Sequence, residues 1–262
     1  MNKNFSYIYG PVYSWRLGVS LGIDPIGQKR KYCNFNCVYC QLGKTPVLTG
    51  KRSVFVPARA VLDEVNALDP NLKLDYLTFS GRGEPTLANN LGEMIDLLKQ
   101  HRREKIAVIT NSGLMGNPGV RSDLLKADFV LAKLDACEEK SFETVDRPLP
   151  SQTLSSIVDG LKMFSKEFKG KLALQMMFID LNKHCAPEMA RIAEEIDPDE
   201  IELNTPLRPC AVRPLSSEEM LEIKSFFHRS TVMVYEREKK DVTAMDEKQT
   251  VRRHGKYLEE NE

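Results

Sequence analysis

The chain has 262 residues, of which 42% are hydrophobic, and its 37 basic and 37 acidic side chains cancel. That length can bury a large core without disulfide staples, and the balanced charge gives no overall attraction to nucleic acid or to a membrane surface. The sequence has no apolar run of about 18 residues, the length that would span a bilayer, and its first residues lack an apolar signal segment. We therefore expect a cytoplasmic protein with no membrane partner, where clustered thiols more often serve metal or catalysis than disulfides.

Short β-type runs alternate with longer helical patterns along the chain. The predicted strands span residues 16–24, 74–81, 105–112, 128–135, 171–179 and 200–206. The predicted helices span residues 57–69, 90–103, 154–168, 187–196 and 216–229. Most strand runs are almost continuously apolar, as in parallel strands buried on both faces. The alternation predicts an α/β fold with a parallel sheet. Six units rather than eight predict an open, partial (β/α)6 barrel, with a flat doubly wound sheet as the competing fold.

The composition changes after the sixth predicted strand. Ser216 and Glu219 have the spacing of a capping box at the start of the helix over 216–229, and residues 231–236 are a further strand candidate. Residues 237–262 are highly charged with little apolar periodicity, which predicts a solvated extension. We assign residues 1–210 to a core domain and residues 211–262 to a short C-terminal helical and charged extension.

Three cysteines, Cys33, Cys37 and Cys40, lie in the stretch "KYCNFNCVYCQLG" directly after the first predicted strand. Loops at the carboxyl ends of barrel strands usually carry the chemistry. Cysteine thiolates are the usual ligands of iron–sulfur clusters, and three of them leave one iron of a four-iron cluster open. A zinc site normally has four ligands in paired form, and the other three cysteines are isolated in the sequence. The spacing therefore favours an iron–sulfur cluster over zinc.

The triplet C-x3-C-x2-C, with Tyr39 before the last cysteine, resembles the signature of the radical S-adenosylmethionine (radical SAM) superfamily. A second segment, "TFSGRGEPTL" at 78–87, follows the second predicted strand, where that family carries a glycine-rich stretch ending in glutamate. The resemblance implies a radical-SAM-type barrel with a [4Fe-4S] cluster on the three cysteines. It also implies SAM bound at the open iron and cleaved by one electron to a 5′-deoxyadenosyl radical.

The resemblance further implies a set of SAM-binding residues at the strand ends. These are Tyr39, Gly81, Gly83, Glu84, Asn111, Lys133 and Asp135. The two glycines let the backbone approach the ligand closely. Glu84 suits the SAM amino group, unless it is an acid at a helix N-terminus. Asp135 suits the ribose hydroxyls and Lys133 the SAM carboxylate, with a buried ion pair or a helix cap as the alternative.

Further segments are similar to the wyosine-synthase-related branch of the superfamily. They are "YGPVYSWRLGVSLGIDP" at the start of the chain and "LNTPLRPC" after the sixth predicted strand. This similarity implies a tRNA base as substrate, although no cysteine precedes Cys33 to bind a second cluster. Arg208 and Arg213 follow the sixth predicted strand and either bind a phosphate or carboxylate of the substrate or are surface charges.

Two other functions stay open from the sequence. The first is an activating enzyme that modifies a partner protein. The second is a non-catalytic electron carrier, against which three rather than four cysteine ligands argue. Cys210 lies nearest the expected barrel mouth among the remaining cysteines. A tRNA-modifying enzyme and an activating enzyme would both need an electron donor, which we expect to be flavodoxin-like or ferredoxin-like.

Overall fold

The computed structural model describes residues 5–236 and 242–254. The strands are β1 (Ile8–Ser14), β2 (Gly18–Ile23), β3 (Tyr32–Cys33), β4 (Val47–Leu48), β5 (Tyr76–Phe79), β6 (Lys105–Thr110), β7 (Phe129–Lys133), β8 (Lys171–Met177), β9 (Glu200–Asn204) and β10 (Thr231–Met233). The helices are α1 (Ala58–Asn66), α2 (Leu91–His101), α3 (Pro118–Leu124), α4 (Glu139–Val145), α5 (Leu154–Glu167), α6 (Ala186–Ile196), α7 (Ser217–Lys224) and α8 (Glu247–His254). Single turns of 3-10 helix occupy Pro85–Leu87, Lys183–Cys185 and Val234–Glu236. None of the described helices is long and apolar enough to cross a bilayer.

Eight strands form one sheet in the order β1-β2-β5-β6-β7-β8-β9-β10, and β3 and β4 form a separate two-stranded sheet. Every neighbouring pair from β2 to β10 is parallel, and only β1 and β2 are antiparallel. All six predicted strands are present in this sheet. Among the described residues β1 and β10 remain as its two edges, so the expected partial barrel is confirmed.

The sequence analysis missed β1, which pairs with β2 as a hairpin. The register between these strands shifts between Tyr9 and Val12, and Pro11 lies inside that shift. Proline has no N–H for the ladder and is tolerated in a sheet mainly at edges and bulges. The proline therefore argued against a strand in the sequence, although the sheet tolerates it because β1 is an edge strand. The short helices α3 and α4 were also not predicted.

Side chains on the parallel strands alternate between an outer apolar layer and the inside of the barrel. On β8, Leu172, Leu174 and Met176 pack into the main core beneath the helices, while Gln175 and Met177 line an inner cavity. At the amino ends of the strands a small cluster closes the inside of the barrel. It consists of Leu17, Ala107, Phe129, Leu131 and Ala173. The interior is therefore filled at one end and hollow toward the carboxyl ends of the strands.

The C-terminal part of the chain joins this architecture. Strand β10 adds a parallel strand beyond β9, and helix α7 begins with the predicted capping box of Ser216 and Glu219. Helix α8 packs on β1, and its Thr250 Oγ1 accepts a hydrogen bond of 3.0 Å from Gly10 N. The prediction of a solvated extension is therefore wrong for α8, because a buried arginine anchors it. That prediction also covers residues 237–241 and 255–262, which lie outside the described residues.

The anchor of α8 is Arg253, which is buried in spite of its charge. Its Nε lies 3.2 Å from Asp24 Oδ2, and Asp24 is also fully buried. A second nitrogen of the guanidinium donates to the backbone oxygen of Ser6. A buried charge is tolerated when it is paired and hydrogen-bonded, so this ion pair fixes a charged helix to the sheet edge.

Candidate functional site

The three clustered cysteines lie in a loop that is tied to neighbouring strand ends by backbone hydrogen bonds. Tyr32 bridges to Gly83, and the Glu84 N–H donates to Tyr32 O at 3.1 Å. On its other side, the Val38 N–H donates to Val145 O at 2.9 Å, at the end of α4. The loop is therefore held at the carboxyl end of the barrel, where the sequence analysis expected it.

Burial disfavours the thiolate forms of Cys33 and Cys37. Burial raises the pKa of Cys33 to about 12, and burial together with the nearby Asp146 carboxylate raises the pKa of Cys37 well above its usual range. Metal ligation requires thiolates, so a metal bound by these cysteines would displace their protons.

The donor set of the loop fits an iron–sulfur cluster. Cys33, Cys37 and Cys40 supply three thiols from one short segment of the chain. In a cubic [4Fe-4S] cluster each cysteine thiolate binds a different iron, and three thiolates leave the fourth iron open.

A cavity of about 320 Å³ opens inside the barrel next to this loop. This volume is within the range of ligand pockets. Five residues that the sequence analysis selected for the cluster and for SAM line it together: Tyr39, Cys40, Gly81, Gly83 and Lys133. Both glycines have positive φ, +123° and +148°. A Cβ at Gly83 would lie 1.8 Å from Tyr32 O, so this position requires glycine.

Glu84 is buried, and its carboxylate ties together the ends of β5 and β6. Its Oε1 accepts from Thr86 N at 3.0 Å and from the Thr86 and Thr110 hydroxyls at 2.7 Å each. Its Oε2 accepts from Asn111 N at 2.8 Å. Burial raises the pKa of Glu84, while these hydrogen bonds oppose that rise. Glu84 therefore acts as a junction between strand ends, and its contact with SAM stays a prediction.

Asn111 lies between the cysteine loop and this junction. Its Nδ2 donates to Asn34 Oδ1 at 2.8 Å and to Cys33 Sγ at 3.5 Å. A hydrogen bond to a ligand sulfur is one of the means by which proteins adjust iron–sulfur clusters. Asn111 is thus placed toward Cys33, and its predicted contact with SAM remains untested.

Asp135, Lys133 and Tyr39 form one buried polar group. Lys133 Nζ lies 3.2 Å from Asp135 Oδ2 and 5.1 Å from the centre of the Tyr39 ring. The Tyr39 hydroxyl donates to Asp135, which also accepts from Met177 N at 2.6 Å. Burial, with Asp135 beside it, raises the pKa of Tyr39 well above its usual range. The ion pair that the sequence analysis left as an alternative is therefore present, and Lys133 still lines the cavity.

Two acidic residues of the site were missed in the sequence analysis. Asp146 follows α4 and accepts from Tyr39 Oη at 3.2 Å and from Cys37 Sγ at 3.4 Å. Its distance of 109 residues from Cys37 left no signal in the sequence. Glu202 lies inside the buried strand β9 and pairs with Arg16, a residue that lines the cavity. An acid within an apolar strand is rarely buried without a partner, and that pattern could have revealed Glu202.

The remaining candidates separate into cavity residues and surface residues. Arg208 lines the cavity, and its Nη1 lies 2.8 Å from Gln41 Oε1. Arg213 is exposed and pairs with Asp180 at 2.8 Å, which agrees with its interpretation as a surface charge. Cys210 is partly buried and packs against the small apolar cluster of Tyr39, Val145 and Ile179.

The last two cysteines are not isolated in the folded chain. Cys137 and Cys185 form a disulfide with a Cα–Cα distance of 5.5 Å. The two cysteines are 48 residues apart in the sequence. Both sulfurs are used in the disulfide, so neither cysteine is available as a further metal ligand.

Similarity to solved structures supports the fold assignment. The structure of TYW1 with a lysine-pyruvate adduct bound matches with a TM-score of 0.61 at 17% identity, over 79% of this chain and 72% of that one. The structure of native anSMEcpe with bound AdoMet matches with a TM-score of 0.61 at 18% identity, over 82% of this chain and 64% of that one. At these identities the similarity concerns the fold alone.

Sequence comparisons extend over most of the chain. A UPF0026 protein of Synechocystis sp. is 40% identical over 219 residues, which is 83% of this chain and 81% of the relative. A putative glycyl-radical enzyme activating enzyme of Methanocaldococcus jannaschii is 40% identical over 67 residues, about a quarter of either chain. The model of the Radical SAM superfamily matches residues 30–193. With its cysteine loop, partial barrel and central cavity, the chain belongs to the radical SAM superfamily and, within it, to the UPF0026 proteins.

Proposed function

We propose that this chain is a radical SAM enzyme in which Cys33, Cys37 and Cys40 bind the [4Fe-4S] cluster and the barrel cavity receives SAM and substrate. Held by these residues, a reduced cluster would supply the one electron for reductive cleavage of SAM to methionine and a 5′-deoxyadenosyl radical, the species that would abstract hydrogen from the substrate. The observation that carries the proposal is the position of Cys40 in the wall of the same cavity as Gly81 and Gly83.

The residues of the chain would position SAM and keep water away from it. Gly81 and Gly83 present backbone without side chains to the cavity, so a ligand can approach the end of β5 closely. Lys133 offers an ammonium group to the SAM carboxylate, and Asp135 holds that ammonium in place from behind. The filled amino end of the barrel leaves the carboxyl end as the route into the cavity.

The cavity lining combines cationic and aromatic side chains. The cations are Arg16, Lys133, Arg208 and Arg253, of which Arg16, Lys133 and Arg253 are paired with Glu202, Asp135 and Asp24. The rings of Tyr9, Trp15 and Tyr39 line the same cavity. Arginines together with aromatic surfaces suit a base that carries phosphate. We therefore propose a tRNA base as the substrate, in line with the sequence similarity of "LNTPLRPC" and of the segment before the cysteine loop to the wyosine-synthase-related branch.

The first experiment tests the radical chemistry. The protein is purified without oxygen, reconstituted with iron and sulfide, reduced with dithionite and supplied with SAM. We expect release of 5′-deoxyadenosine, which the triple variant Cys33→Ala, Cys37→Ala, Cys40→Ala does not produce. An iron-loaded wild-type protein whose electron paramagnetic resonance spectrum is unchanged by SAM would contradict the proposal, because an open iron site must respond to its ligand.

The second experiment tests the substrate class. Unmodified tRNA should stimulate 5′-deoxyadenosine release, and tRNA binding should weaken steeply with salt because phosphate contacts release counterions. Arg208→Ala should weaken this binding, while Arg213→Ala on the outer surface is the matched control. Stimulation by a partner polypeptide instead of tRNA would favour the second candidate, an activating enzyme.

That second candidate rests on the local similarity to a putative glycyl-radical enzyme activating enzyme over 67 residues. In either case a one-electron donor such as a flavodoxin or ferredoxin supplies the reducing electron, and we place the enzyme in the cytoplasm, where such donors are found. The third function, an electron carrier, requires a fourth protein ligand for the cluster.

A further inference from the structure

Lys31, two residues before the first clustered cysteine, is buried to 6% exposure. Its Nζ lies 3.0 Å from Cys40 Sγ and 2.9 Å from Gly43 O. Within the described part of the chain these are the two hydrogen bonds of its ammonium group, and no carboxylate pairs with that group there. A buried ammonium without a carboxylate is costly unless another anion compensates its charge.

The loop itself defines where that anion must lie. The Nζ of Lys31 points at a cysteine sulfur, and Cys40 lines the cavity. A [4Fe-4S] core with three thiolates carries net negative charge, and reduction adds one further negative charge. The ammonium is thus in contact with the ligand shell of a group whose negative charge increases during the reaction.

We infer that Lys31 is the buried counter-charge of the cluster and raises its reduction potential through the hydrogen bond to Cys40 Sγ. Net charge, hydrogen bonds to the sulfurs and solvent exposure set the potentials of such clusters, and Lys31 acts through the first two. A positive charge stabilises the reduced form more than the oxidised form, because the reduced form is more negative. The inference rests on the proposed assignment of Cys33, Cys37 and Cys40 as the cluster ligands.

The test is a redox titration of the reconstituted full chain without SAM, followed by electron paramagnetic resonance. Lys31→Met keeps the length of the side chain and removes its charge. Lys31→Gln also removes the charge but keeps an N–H donor, and Lys31→Arg keeps the charge. Lys44→Met is the matched control, because Lys44 is an exposed lysine in the same loop and its charge is screened by water.

We expect at least a tenfold lower ratio of reduced to oxidised cluster at a fixed potential in Lys31→Met, equivalent to a midpoint about 59 mV more negative for one electron. Lys31→Gln should shift in the same direction, while Lys31→Arg and Lys44→Met should stay near wild type. Unshifted midpoints in Lys31→Met and Lys31→Gln with full iron content would overturn the inference.

If Lys31→Met and Lys31→Gln do not retain a cluster, their potentials cannot be measured, and the iron content of Lys31→Arg then tests the inference. If Lys31→Arg restores iron binding, the charge itself holds the cluster and the inference stands. If Lys31→Arg also fails to bind iron, the shape of the side chain is what matters and the inference fails. The triple cysteine variant separates this result from the proposed function, because normal iron content in that variant would refute the ligand assignment whatever Lys31 does.

Discussion

Gly83→Ala tests whether the close contact between the cysteine loop and the end of β5 holds the site together. The added Cβ would lie 1.8 Å from Tyr32 O and 2.9 Å from the Tyr32 carbonyl carbon. Both atoms belong to the backbone, so the two segments must separate by more than an ångström. That separation breaks the 3.1 Å hydrogen bond from Glu84 N to Tyr32 O. Residue 83 also has a backbone φ of +148°, a conformation that residues other than glycine rarely adopt.

The magnitude follows from these two effects. A lost backbone hydrogen bond costs about 1 kcal/mol, and a residue held in a region reserved for glycine costs about 1–3 kcal/mol. We expect the free energy of unfolding of the metal-free protein to fall by about 2–4 kcal/mol, measured by urea denaturation. We also expect lower iron content after reconstitution, because Tyr32 directly precedes Cys33 in the displaced segment.

Gly43→Ala provides the matched control. Gly43 also has positive φ, at +73°, but no atom lies within 4 Å of the point that an added Cβ would occupy. Its substitution should cost only the left-handed backbone penalty of about 1–2 kcal/mol. A Gly83→Ala protein that is as stable as Gly43→Ala and binds as much iron would refute the reasoning, since the contact with Tyr32 would then have no structural role.

Two further substitutions test buried charges. Asp135→Asn should lower the free energy of unfolding by about 2–4 kcal/mol, because Lys133 loses its anionic partner and the Tyr39 hydroxyl then donates to a neutral amide instead of a carboxylate. In a double-mutant cycle with Lys133→Met the two costs should not add, and additive costs would contradict the ion pair. Arg253→Met should release α8 and expose it to a glutamate-specific protease, because Asp24 loses its buried cation. Arg252→Met, at an exposed position of the same helix, should leave the cleavage pattern of the wild type, and equal patterns in both variants would argue against the anchor.

The local pattern of the sequence was enough to predict the six parallel strands and the cysteine loop. Buried parallel strands are apolar on both faces, so each appears as a short apolar run whatever surrounds it. Cys33, Cys37 and Cys40 lie within one loop, so their spacing can be recognised without knowing any distant partner. The capping box of α7 was predicted for the same reason. The side chains of Ser216 and Glu219 each accept a hydrogen bond from the other residue's backbone N–H within one turn.

Tertiary structure decided the features that depend on residues far apart in the chain. Cys37 and Asp146 are 109 residues apart, and Arg253 and Asp24 are 229 apart, yet both pairs are in contact because the sheet brings their elements to one end or one edge. The sequence of α8 is charged and looks solvated, but its position on β1 depends on one buried ion pair that no periodicity reveals. The spacing of residues therefore determines local elements such as strands, caps and the cysteine loop. The partner of a buried charge is determined only by tertiary structure, because the assembled sheet brings distant residues into contact.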